Sequence, residues 1–239
     1  VVYAGYSHMA LRDRINDAEA KVLVTANGSL RRGKTVELKG TCDQAVAEDC
    51  PSIEKMVVVN NVELDVEMKD GRDVWFEDIV KDETGEGVET EILDGNDPLF
   101  VLYTSGTTSK PKGVVHDHAG YMVGIYHTMK TVFDIKEDDV YWCTADPGWI
   151  TGHSYIIYGP LMNGITTIMY EGVPDYPEND FIWGLIERYK VSILYTAPTL
   201  VRLMMKYGDE PVKKHDLSTL RLLGSFGEPI NPKAWHWFY

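Results

Sequence analysis

Tyr103-Thr-Ser-Gly-Thr-Thr-Ser-Lys-Pro-Lys-Gly113 is the stretch on which the reading of this chain turns. The apolar run Leu99-Phe-Val-Leu-Tyr103 before it predicts a buried strand, and Val114-Val115 after it predicts a second, short one. Between them stand the hydroxyls of Ser105, Thr107, Thr108 and Ser109, the ammonium groups of Lys110 and Lys112, and two glycines, Gly106 and Gly113. Glycine lets successive backbone N–H groups converge on one point, which makes a concavity for an anion. Hydroxyls add donors, and lysines add charge. An ordinary polar turn has no need of so many convergent donors, so the loop is suited to a polyphosphate.

A Walker loop is built differently. Gly106 is not followed at the right distance by Gly-Lys-Ser/Thr, and Pro111 stands where a helix should open. A second stretch, Gly28-Ser-Leu-Arg-Arg-Gly-Lys-Thr35, does fit the Walker spacing and follows a predicted strand. Yet Thr35-Val-Glu-Leu38 alternates polar and apolar residues. That predicts a strand where a Walker loop needs a helix N-terminus facing the phosphates. A Walker-type NTPase using residues 28–35 stays open as the alternative reading. On either reading Arg31, Arg32 and Lys34 make a local positive patch.

The 239 residues are 44% hydrophobic and 25% charged, a globular composition sufficient for one large or two small domains. No uncharged apolar run reaches membrane-spanning length, and no secretory signal is visible. Cys42, Cys50 and Cys143 are odd in number and lack metal-ligand spacing, which points to free thiols in a reducing, cytoplasmic compartment. Asn27-Gly-Ser29 matches a glycosylation sequon, set aside because nothing else points to secretion. A net charge of -14 argues against a general nucleic-acid surface, so any phosphate site must be made locally by the few basic loops. His116 and His118 fall on opposite faces of a strand with no third ligand cluster, so no metal site is predicted. Neither the apolar start nor the aromatic stretch Trp235-His-Trp-Phe-Tyr239 reads as a polar, flexible domain edge, which suggests an excerpt of a longer protein.

The predicted elements alternate. A strand at 1–4, a helix at 7–20 capped by Ser7 and a strand at 21–25 suggest a parallel βαβ unit. A helix at 39–48, a buried strand at 55–59 and a short helix at 75–80 follow, then an acidic connector at 81–97. After the phosphate loop come helices at 118–130, 155–162, 178–189 and 198–206, strands at 139–144, 165–170, 191–195 and 220–223, and a last helix from Pro232. The implied class is α/β, with mostly parallel sheets covered by helices on both faces, divided at about 1–97 and 98–239. Ala145-Asp-Pro-Gly-Trp-Ile-Thr-Gly-His-Ser154 and Gly224-Ser-Phe-Gly-Glu-Pro229 are shaped loops after strands, where open α/β sheets place ligands.

The stretch 103–113 resembles the phosphate-binding signature of the adenylate-forming, AMP-binding enzymes, with Ser109 where that motif usually has glycine. Four further stretches resemble the acetyl-CoA synthetase (acetate–CoA ligase) family: Gly5-Tyr-Ser with Arg12-Asp-Arg-Ile15, residues 145–155, residues 170–177 and residues 227–232. The likeness runs over essentially the whole chain. It implies an incomplete large N-terminal AMP-binding domain without the small C-terminal domain, and substrates acetate, Mg-ATP and coenzyme A, with Mg2+ and no tightly bound prosthetic group. The implied reaction adenylates the acid and then passes the acyl group to coenzyme A. Residues of this family absent from the stretch lead us to expect no catalysis from these residues alone.

The same resemblance implies residue roles. Thr104, Ser105, Gly106, Thr107, Thr108, Ser109, Lys110 and Lys112 would hold the ATP phosphates. Gly227, Glu228 and Pro229 would line the adenine side. Arg31, Arg32, Gly33, Lys34, Thr151, Asp175 and Ala197 would meet coenzyme A. Trp149, Ile150, Thr151 and Phe226 would wall the acyl group. Many relatives have arginine in place of Lys34 and a smaller apolar residue in place of Phe226. Phe226 either shortens the acyl pocket or turns into the core. A propionate or other short-chain ligase is the alternative within the family.

Overall fold

A computed structural model describes residues 1–85, 87–104 and 111–239. The chain divides into two compact units, Val2–His116 and Asp117–Tyr239, the latter joined by Val1. The division between these compact units falls after His116.

In the first unit, α1 (His8–Asp17) starts where Ser7 Oγ accepts the Ala10 N–H at 3.3 Å. The parallel sheet runs β1 (Val22–Ala26), β4 (Lys55–Val59), β5 (Asp73–Trp75) in that order. Between β1 and β4 the chain makes the hairpin β2 (Gly28–Arg31) and β3 (Lys34–Glu37), then α2 (Lys39–Asp49). The predicted strand at 1–4 does not form. Tyr6 N–H turns back onto Tyr3 O instead, and among the described residues no strand pairs with that segment. The parallel βαβ unit is real but one step later: β1, α2, β4. Leu11 and Ile15 of α1, Cys42 and Ala45 of α2, and Met56 and Val58 of β4 share one core. The opposite face of β1 leaves Val22 and Val24 exposed, so helices cover this sheet on one face among the described residues.

The short α3 (Phe76–Val80) follows β5 directly, and 81–97 carries no strand or longer helix among its described residues. β6 (Pro98–Thr104) and β7 (Lys112–Asp117) pair as a two-stranded sheet. β6 is less buried than its apolar run predicts, with Leu102 the buried residue. Tyr103 ties it to α1: its hydroxyl donates to Asp17 Oδ2 at 2.7 Å, and the Arg14 guanidinium lies over the ring at 5.7 Å. Those contacts explain why the ribbon belongs with the first unit.

The second unit is an α/β sheet covered on both faces. α4 (His118–Thr131) opens at Asp117, whose carboxylate accepts the Gly120 N–H at 2.7 Å. β8 (Val140–Cys143) leads to α5 (Ile150–Gly152), a six-residue π-helix (His153–Tyr158), α6 (Gly159–Met162) and β9 (Thr166–Ile168). Then come α7 (Phe181–Tyr189), β10 (Ile193–Thr196), α8 (Pro198–Met205), α9 (Glu210–Lys213), β11 (Leu222–Ser225) and α10 (Pro232–Phe238). The sheet order is β11-β10-β8-β9, all parallel. Alternation along the strands feeds two cores. Tyr141, Cys143 and Ile193 point to one, with Met129 of α4 and Ile156 of the π-helix. Trp142 and Leu194 point to the other, with Ile182 and Ile186 of α7 and Met204 of α8. Burial on both faces is why these strands read as continuous apolar runs.

Candidate functional site

The order β11-β10-β8-β9 contains a reversal. From β8 the chain moves to β9 on one side, then crosses back to β10 and β11 on the other. In an open parallel sheet the crevice outside the carboxyl ends of the two strands at such a reversal is where ligands bind. Here those strands are β8 and β10. At their ends, Oγ1 of Thr144, just past β8, and Oγ1 of Thr196, the last residue of β10, lie 2.6 Å apart, and the Thr144 N–H donates to Tyr195 O at 3.0 Å.

The loops at this edge carry the predicted residues. After β8, Asp146 Oδ1 accepts the Gly148 N–H at 2.7 Å and Asp146 O accepts the Trp149 N–H at 3.0 Å, closing a tight turn. The chain enters α5 at once, earlier than the predicted helix start at 155. Trp149 and Ile150 are exposed and Thr151 is half-buried. Gly152 makes the turn possible: a Cβ there would sit 2.1 Å from Asp146 O. Buried His153 follows, its Nδ1 3.1 Å from Trp149 O. Ser154, also buried, meets the Tyr121 hydroxyl at 2.9 Å, and burial pushes that phenol up to about 12.

After β10, Ala197 stands at the N-cap of α8, with Pro198 beginning the helix. After β11, the Phe226 N–H donates to Thr196 O at 3.1 Å, and Gly227 takes φ +83°, a left-handed conformation that favours glycine. Glu228 next accepts from Arg202 of α8 at 2.7 Å. The Phe226 ring is half-buried, 4.9 Å from the Tyr195 ring and packed against the core that holds Met129 and Ile156. It thus serves the core with at least one face. Asp175, in the loop after β9, is buried and accepts the Tyr207 hydroxyl at 2.9 Å.

In the first unit the Walker-like stretch is a hairpin. Arg31 pairs with Lys34 across the tip, and Arg32 (φ +50°) and Gly33 (φ +70°) make the turn. Two successive positive φ values match the mirror-image turn preferred in two-residue hairpins. No helix opens at Thr35, which removes the Walker geometry. The tip exposes Arg31, Arg32 and Lys34. At the phosphate stretch, Thr104 ends β6 and Lys112 begins β7, both exposed. Ser105, Gly106, Thr107, Thr108, Ser109 and Lys110 lie outside the described residues.

Sequence reasoning missed Thr144 and Thr196 as a pair, Arg202 behind Glu228 and Tyr207 behind Asp175. None carries a local motif; each depends on strand order or on a distant helix. Among the described residues no cluster of three or more His, Cys, Asp or Glu is placed to hold a metal, and no helix is long and apolar enough to cross a membrane. All three cysteines are buried and free of disulfides.

Comparison with known proteins now bears on this edge. The chain is 56% identical over 239 residues to an acetyl-coenzyme A synthetase of Rubrobacter xylanophilus, covering 100% of this chain and 37% of that protein. It is 56% identical over 238 residues to one from Methanothrix thermoacetophila, covering 36% of that protein. With one from Pasteurella multocida it shares 52% identity over 239 residues, again 36% of the relative's length. The chain thus spans little more than a third of the curated relatives it matches. A family model described as "AMP-binding enzyme" matches residues 1–239, and the chain belongs to that family.

Proposed function

We propose that this chain forms the nucleotide- and coenzyme A-handling part of an acetate–CoA ligase, the reaction being that of the full-length protein. Acetate oxygen attacks the α-phosphorus of Mg-ATP, forming acetyl-adenylate and releasing pyrophosphate. The thiol sulfur of coenzyme A then attacks the acetyl carbonyl carbon, and AMP leaves. A protein promotes such steps mainly by placing the reactants and neutralising phosphate charge.

The observation that carries this reading is the strand reversal at β8 and β10, with shaped loops at the ends of β8, β10 and β11. On this reading, residues 104–110 and Lys112 hold the triphosphate. Gly227, Glu228 and Pro229 face adenine, with Glu228 steadied by Arg202. Trp149, Ile150 and Thr151 bound the acyl group. Phe226, standing on Tyr195, limits its length and so favours acetate over longer acids. Arg31, Arg32, Gly33 and Lys34 meet the phosphates of coenzyme A, with Thr151, Asp175 and Ala197 further along. Buried free thiols fit a cytoplasmic setting.

The test is acetate-dependent ATP–pyrophosphate exchange by the full-length protein, followed by coenzyme A-dependent AMP release. Lys112→Ala should depress exchange. Lys34→Ala should raise KM for coenzyme A while exchange persists. Absence of exchange with any carboxylic acid overturns the proposal. An acyl-length profile peaking at propionate moves it to the neighbouring activity.

A further inference from the structure

Asn27 is fully buried, at 0% exposure, and every hydrogen-bonding group it owns is used. Its backbone N–H donates to Val59 O at 2.9 Å, at the end of β4. Its backbone carbonyl accepts from Leu38 at 3.1 Å and Lys39 at 3.4 Å, where the hairpin's second leg enters α2. Its side-chain Oδ1 accepts three backbone N–H groups: Gly28 at 2.8 Å, Asn61 at 3.0 Å and Val62 at 3.2 Å. Its Nδ2 donates to Asn60 Oδ1 at 3.0 Å, Val62 O at 2.8 Å and Leu64 O at 3.0 Å. Donors face one side of the amide and acceptors the other, so only one orientation satisfies both.

The next residue tightens the same junction. A Cβ on Gly28 would meet Val36 O at 2.8 Å and Val62 Cγ2 at 3.0 Å, and the Asn61 amide donates to Gly28 O at 3.1 Å. Both legs of the β2–β3 hairpin, the end of β4 and the 60–64 segment therefore meet at one residue: its backbone holds Val59, Leu38 and Lys39, and its side-chain amide fastens Gly28, at the start of the hairpin, to residues 60–64. Among the described residues the hairpin whose tip carries Arg31, Arg32 and Lys34 is a two-stranded sheet of its own, so this junction ties its base to the rest of the unit. Backbone held by an over-determined buried polar network is rigid, and a rigid platform fixes where exposed cations stand.

We propose that Asn27 is the positioning residue for the phosphate contacts of Arg31, Arg32 and Lys34. This rests on the coenzyme A reading above. The acid-adenylating half-reaction needs no coenzyme A, so the two can be read separately in the full-length protein. Asn27→Ala should raise KM for coenzyme A about 10-fold or more, the scale of loss when a supporting shell is removed. Acetate-dependent pyrophosphate exchange should stay within about twofold, because a split between the two is what a placement defect gives and a folding defect does not. Asn61→Ala, at an exposed position, removes one tie to Gly28 and should produce a smaller rise of the same kind; it decides the matter should Asn27→Ala not fold. Arg31→Ala serves as reference. If Arg31→Ala raises KM for coenzyme A and the folded asparagine variants do not, positioning by Asn27 is wrong and the coenzyme A reading stands. If Arg31→Ala and Lys34→Ala both leave KM unchanged, the hairpin is not the coenzyme A contact and both fall.

Discussion

Gly152 and Asp139 show how single residues divide labour between the two ends of one sheet. Gly152 sits at the carboxyl edge, where its missing side chain lets α5 close on the Asp146–Pro147 backbone. Gly152→Ala must push that turn outward and carry Trp149, Ile150 and Thr151 with it. A displacement near 1 Å suffices to cost about 100-fold in kcat/KM for acetate. Steady-state kinetics of the full-length protein checks this, and a change within about twofold would show that the turn does not set the acyl wall. Asp139 sits at the opposite, amino edge. It receives Ser192 Oγ at 2.6 Å and Arg221 Nε at 2.9 Å, tying the starts of β8, β10 and β11. Burial pushes its carboxyl up, but hydrogen bonds from Arg221, Ser192 and the Lys136 N–H overrule that and hold it at about 2, against an ordinary 3.8. A carboxyl depressed by folding stabilises fully above the unfolded value, and the gain is lost as pH falls through the folded one. The window is therefore from about pH 4 down to about pH 2, and the amount about 2 kcal/mol. Asp139→Asn should lower the thermal midpoint at neutral pH and flatten its fall over the acid window. Parallel curves for the two proteins would refute this.

At the scale of elements, the π-helix is the least predictable feature and the most exposed to a test. The Gly159 N–H bonds Ser154 O, five residues back. A Cβ on Gly159 would lie 2.6 Å from that oxygen, 3.0 Å from Ile125 Cγ2 and 3.1 Å from Met129 Cγ. Gly159→Ala should thus pry α4 from the π-helix and destabilise by about 1–3 kcal/mol, read from the denaturant midpoint. An unchanged midpoint would mean that α4 yields freely. Sequence pattern reached most other elements because their burial is distinctive. Met56-Val-Val-Val59 and Val140-Tyr-Trp-Cys143 are apolar runs, with Met56 and Val58 buried in one sheet and Tyr141, Trp142 and Cys143 in the other. The alternation of Thr35-Val-Glu-Leu38 separated a hairpin from a Walker helix. Failures have physical causes too. Val1-Val-Tyr-Ala4 looks like a strand but joins no sheet among the described residues, and β5 is too short to announce itself. The π-turn has the same apolar pattern as an α-helix. Loop residues of the candidate site were legible through glycine and proline, whereas the Thr144–Thr196 pair depends on strand order, which no local pattern carries.

For the whole molecule, charge is the dominant fact. A net charge of -14 repels a polyanionic ligand everywhere except at local basic patches such as the tip bearing Arg31, Arg32 and Lys34. Long-range repulsion is screened by salt, and so is the attraction of an exposed tip. On the coenzyme A contact proposed above, the tip acts at shorter range than the acidic surface, so loss of its attraction should win. Raising salt from about 0.02 M to about 0.3 M should then increase KM for coenzyme A about 3- to 10-fold in the full-length protein. The Arg31→Ala and Lys34→Ala pair should show a much flatter response. A KM that falls with salt in the parent would mean that the global field governs instead.

The sealed amide of Asn27 also dictates how the protein can be manufactured. A host that adds oligosaccharide to Asn-Gly-Ser acts on the chain while it is still extended, and the sugar would take the nitrogen that must later reach Val62 O and Leu64 O. No room exists for a glycan at a site with zero exposure, so decorated chains would stall with an open junction and be lost to quality control. Ser29→Ala deletes the acceptor signal without touching the amide, and should rescue yield in such a host.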